Sequence, residues 1–120
     1  MDGHGAGIET SSLGQRGETA AAGWYRSAGY RQLARNWRCR DGELDLVVTD
    51  GQTVIFVEVK TRSSGRYGSG FDAVDHRKRR KVRTVAARWL AASDRHWAEI
   101  RFDVADVDGR GHVLVREGCF

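Results

Sequence analysis

Two neighbouring segments in the middle of the chain have the residue pattern of paired β-strands. Residues 43–49 and 53–60 are rich in aliphatic and β-branched side chains, and acidic or basic residues interrupt them at alternate positions. Such runs are typical of strands. Asp50-Gly51-Gln52 lies between them and is a strong turn signal. The pattern therefore predicts a β-hairpin.

Other periodicities place this hairpin in a larger sheet. They predict a helix over residues 15–28, an extended segment over 30–37, a second helix that ends near residue 93, a strand over 100–105 and a short edge strand over 112–116. This order predicts an α/β protein with a mixed sheet and helices packed on it. Residues 1–14 are rich in Gly, Ser and Thr, so we expect a disordered tail followed by a single domain over residues 15–120.

The alternation of side chains along the two strands of the hairpin places four charged residues on one face. With residues 51 and 52 as a two-residue loop, Asp45 lies opposite Glu58. The same register places Glu43 opposite Lys60. A loop shifted by one position slides the register but keeps all four on one face, because side chains alternate across a sheet. The predicted core face is wholly apolar and comprises Leu44, Leu46, Val48, Ile55, Val57 and Val59. A charged cluster on a sheet that is otherwise apolar is expected at a functional site.

The chemistry of this cluster favours a divalent cation. Carboxylates opposite each other repel by up to about 1 kcal/mol when exposed. Mg²⁺ or Mn²⁺ would remove that conflict, and Mg²⁺ is usually held by one or two carboxylates, which Asp45 and Glu58 supply. Lys60 lies two positions beyond Glu58 on the same face and could reach a phosphate or the attacking water. The competing interpretation is a solvated surface ion pair, which is the common role of Glu-x-Lys on a strand.

The chain also resembles the YraN-like family, a bacterial family of predicted endonuclease-like proteins. The segments that carry the resemblance are Gly17-Glu18, Asn36, residues 42–47, residues 56–62 and residues 101–104. The resemblance extends from about residue 14 to residue 106. The family is placed in the restriction-endonuclease-like superfamily, together with archaeal Holliday-junction resolvases. This implies an α/β/α sandwich around a mixed sheet with an αβββαβ core.

The resemblance also implies roles for individual residues. Asp45 and Glu58 match metal ligands, and the backbone carbonyl of Val59 would be a further ligand. Lys60 matches the catalytic lysine. Glu18 matches a carboxylate on the first helix that points toward the metal site.

Two of the acidic residues have simpler explanations. Glu18 lies near a predicted helix N-terminus, where a carboxylate interacts well with the helix dipole. Glu43 follows Gly42 in a pair that the resemblance includes without a clear role. We treat Glu43 as an accessory residue that could instead cap the strand or pair with Arg40.

A dense basic run precedes the second helical stripe. The residues of this run that we predict to contact nucleic acid are Arg77, Lys78, Arg79, Arg80 and Lys81. Arg62, which follows the hairpin, is a further predicted contact. Cations at a helix N-terminus oppose the helix dipole, and a bound phosphate would offset this cost. We therefore predict a surface that follows a phosphate backbone. The alternative is a solvated face whose first residues are not yet helical.

Composition bears on the binding partner and on the cellular compartment. The formal net charge is +4 and the pI is about 9.5, which fits a polyanionic partner without requiring one. No apolar segment approaches the roughly 20 residues needed to span a membrane, and no signal peptide is visible. Cys39 and Cys119 lie far apart without a CxxC motif, so we expect free thiols in the cytoplasm, with a single disulfide as the alternative.

The combined expectation is an endonuclease that depends on Mg²⁺ or Mn²⁺ and hydrolyses nucleic-acid phosphodiesters, with structured DNA as the favoured substrate. The chain is expected to act as a monomer or homodimer. The alternative is a protein with the nuclease fold that binds nucleic acid with little or no catalysis.

Overall fold

The described part of the computed structural model, residues 12–62 and 76–120, forms two helices and five strands. In chain order they are α1 (Leu13–Ser27), β1 (Arg31–Cys39), β2 (Gly42–Thr49), β3 (Thr53–Thr61), α2 (His76–Ala92), β4 (Glu99–Val107) and β5 (Val113–Arg116). The predicted order of elements is confirmed. Neither helix in these two ranges has the length and apolar character needed to cross a membrane.

Helix α1 begins earlier than the sequence pattern predicts. Ser12 caps it and forms a capping box with Gln15, in which each side chain bonds the other's backbone N–H. Leu13 and Gly14 therefore belong to the helix and Ser12 is its N-cap, so the predicted tail boundary at residue 14 is wrong for these positions. The rest of the predicted tail, residues 1–11, lies outside the described residues.

The strands form one mixed sheet in the order β1-β2-β3-β4-β5. Neighbouring strands are antiparallel except β3 and β4, which are parallel and are connected through α2. The α1 side buries an apolar cluster that includes Tyr25, Leu46 and Ile55. The α2 side buries a second cluster that includes Phe56 and Val85. The fold is thus the predicted α/β/α sandwich with a central mixed sheet.

The hairpin has the register predicted for a two-residue loop at 51–52. Pairing of β2 with β3 runs from Thr49 opposite Val54 to Leu46 opposite Val57 and then stops. Beyond Leu46 the alternation of faces in β2 also breaks. Leu44 packs in the α2-side cluster, whereas Leu46 packs in the α1-side cluster. The prediction that Leu44 shares a face with Leu46 is therefore wrong.

Asn36 of the neighbouring strand lies at the level of this break. It lies between Arg35 and Trp37, which pair with Leu46 and Leu44 of β2, so it faces Asp45 in register. Asn36 has φ of 54°, which is uncommon for a residue other than glycine and is best tolerated by asparagine and aspartate. The two neighbouring strands thus depart from regular geometry at the same level of the sheet, and Asp45 lies at that level.

Candidate active site

Asp45 occupies the gap that opens where β2 and β3 stop pairing. Its Oδ2 atom accepts a hydrogen bond of 2.8 Å from the backbone N–H of Val59. In an extended strand the N–H and C=O of one residue face the same neighbour, so the carbonyl of Val59 faces this gap as well. Burial, followed by the charge of Glu58, raises the pKa of Asp45 to about 7, against the hydrogen bond from Val59. The Asp45 carboxylate is therefore held in an environment that disfavours its ionised form.

Glu58 receives two ammonium groups. Its side chain is 12% exposed, and its Oε2 atom lies 2.9 Å from Nζ of Lys78 and 3.5 Å from Nζ of Lys60. Burial, followed by the neighbouring Lys78, lowers the pKa of Lys60 against the attraction of Glu58. The structure therefore brings Asp45, Glu58 and Lys60 together as predicted, and it adds Lys78 from the opposing helix.

A cleft of about 530 Å³ opens above these residues, between the β1–β2 turn and α2. Asp45 and Glu58 form part of its wall, and basic side chains from both sides complete it. The basic residues that line it are Arg38, Arg40, Lys78 and Lys81. An acidic centre flanked by cations suits a substrate that is itself an anion.

Helix α1 comes into contact with the end of β3 through Gly17. A Cβ atom on Gly17 would collide with the side chain of Thr61. This close approach places the next residue, Glu18, with a side chain 13% exposed. Within the described residues its buried Oε1 atom has no hydrogen-bond partner, and Nε of Arg35 lies 3.8 Å away. The charge of Glu18 contributes to raising the pKa of Asp45.

The helix-dipole explanation of Glu18 loses its basis in this structure. Glu18 lies beyond the first turn of α1, and the dipole effect falls off within that turn. Its burial beside the gap accounts for its electrostatic contact with Asp45.

Glu43 pairs with Arg38. Arg38 lies opposite Glu43 in the β1–β2 ladder and donates a 3.0 Å hydrogen bond to it, so the alternative of a pair with Arg40 is replaced by this one. Glu43 also lines the cleft that contains Asp45. On the α1 side it lines a second cleft together with Glu18. Glu43 therefore lies between the two sides of the sheet rather than only on the face of Glu58 and Lys60.

The basic run is helical from its first residue, because α2 begins at His76. The alternative of a run not yet helical is therefore wrong. Lys78 and Lys81 face the cleft, and Arg77 and Arg80 are exposed to solvent. Arg79 lies over the ring of Phe120 at 6.0 Å. The five residues thus point in more than one direction, and only part of the run borders the candidate site.

Arg62 does not join the cleft. Its Nε atom lies 3.9 Å from Oδ1 of Asp106, whose side chain is completely buried. Arg62 is itself mostly buried, so its predicted role as a nucleic-acid contact is not supported by its position. Its charge instead offsets a carboxylate inside the fold.

Sequence reasoning missed the function of the glycines that precede two acidic residues. Gly42 has φ of +145°, and a Cβ there would lie 3.1 Å from Val85 and 3.2 Å from Lys81. Gly17 has the corresponding role against Thr61. Each glycine lets an element approach closely, and each is followed by a glutamate. That repeated Gly-Glu pair was the available signal.

As the side chains stand, no three His, Cys, Asp or Glu residues within 12–62 and 76–120 converge closely enough to hold a metal ion. The charges of Glu58 and Glu18 both act on Asp45, and the buried Oε1 atom of Glu18 has no hydrogen-bond partner among the described residues. Hard oxygen donors of this kind fit Mg²⁺ or Mn²⁺, which commonly need only one or two carboxylates from the protein. In this structure the ammonium groups of Lys60 and Lys78 neutralise Glu58 instead.

The sheet, the two covering helices and the cleft define an α/β/α sandwich that is compatible with a nuclease-like fold and that carries a cluster of carboxylates and lysines. The sequence model of the "Uncharacterised protein family UPF0102" matches residues 17–107. The chain belongs to this family, which confirms the resemblance to YraN-like proteins.

The relatives cover most of the chain. A UPF0102 protein of Parafrankia sp. (strain EAN1pec) is 51% identical over 112 residues, which are 90% of this chain and 95% of that protein. One of Nocardia farcinica is 50% identical over 99 residues, 82% of this chain and 78% of its own. One of Frankia casuarinae is 53% identical over 93 residues, 78% and 79% respectively.

Proposed function

We propose that this protein is an endonuclease that hydrolyses nucleic-acid phosphodiesters with the help of a divalent cation. The observation that carries the proposal is the meeting of Asp45 and Glu58 in one cleft whose rim is basic, with Nζ of Lys60 3.5 Å from Oε2 of Glu58. Burial and a neighbouring carboxylate raise the pKa of Asp45 to about 7, which costs stability when Asp45 is ionised. Carboxyl groups with such shifted pKa values are concentrated at functional sites.

Asp45 and Glu58 would hold Mg²⁺ or Mn²⁺, with the backbone carbonyl of Val59 as a third donor. Glu18 would contribute from α1, because its buried oxygen lacks a hydrogen-bond donor in the described part of the chain. When bound, the cation would supply Lewis-acid stabilisation of the charge that develops on the phosphate. A bound cation would relieve the repulsion between Asp45 and the neighbouring carboxylates of Glu58 and Glu18, and this supports the assignment.

Lys60 is the residue proposed to act on the reacting phosphate or on the nucleophile. Its side chain is 17% exposed, and its lowered pKa makes loss of a proton from Nζ easier than in an exposed lysine. In the charged form the same atom can offset negative charge that develops in the transition state.

The basic rim supplies the proposed binding of nucleic acid, with DNA as the favoured form. Arg38, Arg40, Lys78 and Lys81 border the cleft on two sides. Exposed Arg77 and Arg80 extend this surface along α2. Such contacts orient a phosphate backbone without reading its sequence. We propose that the chain acts as a monomer or homodimer in a reducing compartment such as the cytoplasm, which suits its two free cysteines.

A second candidate function is binding of nucleic acid without catalysis. The observation that favours it is the occupation of Glu58 by two lysines, together with the lack of a three-residue ligand set in the described residues. In such a protein the cluster would serve as an ion-pair network, and the basic rim alone would carry the function.

Cleavage of supercoiled plasmid, branched DNA and RNA with Mg²⁺ or Mn²⁺ tests the proposal. Glu58→Gln and Lys60→Met should each reduce the cleavage rate by about 100-fold or more. Glu99→Gln is the matched control, because Glu99 lies exposed at the start of β4, at the other end of the sheet. Cleavage that survives both site substitutions would overturn the proposed site. Binding of nucleic acid that weakens with salt, without cleavage of any of these substrates, would establish the second candidate.

A further inference from the structure

Of the two lysines that pair with Glu58, Lys78 lies nearer to it. Its Nζ atom lies 2.9 Å from Oε2 of Glu58, whereas Nζ of Lys60 lies 3.5 Å from the same oxygen. Lys78 belongs to the first turn of α2, on the other wall of the cleft from the hairpin. One carboxylate oxygen thus connects the helix to the sheet.

The ammonium of Lys78 contacts one oxygen of the carboxylate that is proposed to hold the divalent cation. A cation held by Glu58 would repel an ammonium group a few ångströms away, and the low polarity of a partly buried cleft strengthens that repulsion. Binding of the cation therefore requires Lys78 to move away from Glu58. This movement breaks the short contact between Lys78 and Glu58, and the loss of that contact weakens cation binding unless another anion replaces it.

Nucleic acid would offer Lys78 that other anion. Its side chain is 38% exposed, so the ammonium can turn from Glu58 toward the mouth of the cleft. Lys81 lines the same cleft, and Arg77 is exposed on the same helical turn. A phosphate bound among these side chains would take over the charge of Lys78.

We infer that Lys78 couples the binding of nucleic acid to the binding of the divalent cation, an inference that rests on the function proposed above. Without nucleic acid, Lys78 holds Glu58 and keeps the cation site weak. A bound phosphate draws Lys78 away and leaves Glu58 for the cation. Because binding linkage is reciprocal, the cation must strengthen nucleic-acid binding by the same factor.

The test measures Mn²⁺ binding to the full chain by electron paramagnetic resonance, with and without a phosphorothioate DNA duplex that resists cleavage. In the wild type the duplex should tighten Mn²⁺ binding by about 5-fold or more. Lys78→Gln should tighten Mn²⁺ binding in the absence of DNA and should bring the effect of DNA close to onefold. Lys81→Gln makes the same change of charge in the same cleft; it should weaken DNA binding but keep the coupling factor. Thermal melts of both variants verify that they are folded.

The outcomes separate this inference from the proposed function. Wild-type coupling in Lys78→Gln, or equal loss of coupling in Lys81→Gln, overturns the role of Lys78 alone. In that case the proposed cation site still stands if Glu58→Gln abolishes Mn²⁺ binding. If the wild type binds neither Mn²⁺ nor DNA, the proposed function fails and the coupling fails with it.

Discussion

The hydroxyl of Tyr25 donates a 2.7 Å hydrogen bond to Oδ2 of Asp103, and both side chains are completely buried. Arg101 donates two further bonds to the same carboxylate, and the backbone N–H of Gly118 donates another. This network fastens the end of α1 to β4. Because Glu18 lies on the same helix, the network also fixes the helix that brings Glu18 to the candidate site.

Tyr25→Phe should destabilise the fold. The substitution removes one donor from a buried, charged acceptor, which typically costs about 1–3 kcal/mol. Urea denaturation should show this loss in the free energy of unfolding. Tyr30→Phe is the control, because the Tyr30 hydroxyl makes only a 3.4 Å contact with Arg101. An equal loss in both variants would contradict the assignment of the strong bond to Tyr25.

Gly17→Ala should destabilise the protein although alanine is the better helix former. The added methyl group would meet the side chain of Thr61, and overpacking of this kind costs about 1–3 kcal/mol. Gly23→Ala in the same helix has open space around it and should stabilise by about 0.5–1 kcal/mol. The double variant Gly17→Ala with Thr61→Ala should recover part of the loss, because it removes most of the collision. Stabilisation by Gly17→Ala alone would show that α1 does not pack so closely against β3.

The shared face of the charged residues could be predicted from the sequence, because side-chain alternation gives the same face for a loop at residues 51–52 or 50–51. The sequence left the choice between these two registers open, and the structure has the one that places Asp45 at the level of Glu58. The departure at Leu44 could not be predicted in this way. It accompanies a left-handed conformation at Asn36 in the neighbouring strand, and an asparagine within a strand pattern gives only a weak signal of that conformation.

The contribution of Lys78 depends on tertiary structure. Nothing local distinguishes it from Arg77 or Lys81 in a run of six basic or histidine residues. Its contact with Glu58 arises from the way α2 lies across the sheet, which short-range periodicity does not specify. The start of α1 is a different case, because the Ser12 and Gln15 capping box is visible in the sequence.

The stability of the protein should depend on pH through Asp45. Its folded-state pKa is raised from 3.8 to about 7, first by burial and then by Glu58. Its contribution to stability is therefore fully present below about pH 4 and is lost as the pH rises toward 7. A range from about pH 4 to about pH 8 covers both pKa values. Urea denaturation over this range should show that Asp45→Asn removes this part of the pH dependence of stability.

Asp50→Asn is the control of opposite sign. Hydrogen bonds from the backbone N–H groups of Thr53 and Gln52 lower the pKa of Asp50, so its contribution is lost as the pH falls. An unchanged pH profile in Asp45→Asn would show that the Asp45 carboxyl is not in the disfavoured environment described above.

Mn²⁺ should raise the melting temperature of the wild type if Asp45 and Glu58 hold a cation. A ligand that binds only the folded state at a concentration of 100 times its Kd stabilises by about 2.7 kcal/mol. Glu58→Gln should lose most of the shift on addition of Mn²⁺, whereas Glu99→Gln should keep it. Differential scanning calorimetry at pH 8 measures both shifts, and equal shifts in the two variants would place the cation elsewhere.

Substitution of Arg62 should lower the stability of the fold, whereas substitution of Arg80 should weaken nucleic-acid binding. Arg62 lies against buried Asp106, so Arg62→Gln leaves that carboxylate without its counter-charge and should cost about 1 kcal/mol or more of stability. Arg80 is exposed on α2, so Arg80→Gln should leave stability unchanged, weaken DNA binding and reduce its salt dependence by about one phosphate contact. Urea denaturation and binding titrations over a range of salt concentrations measure the two effects. If Arg62→Gln instead lowered DNA affinity at full stability, Arg62 would be a nucleic-acid contact despite its position beside Asp106.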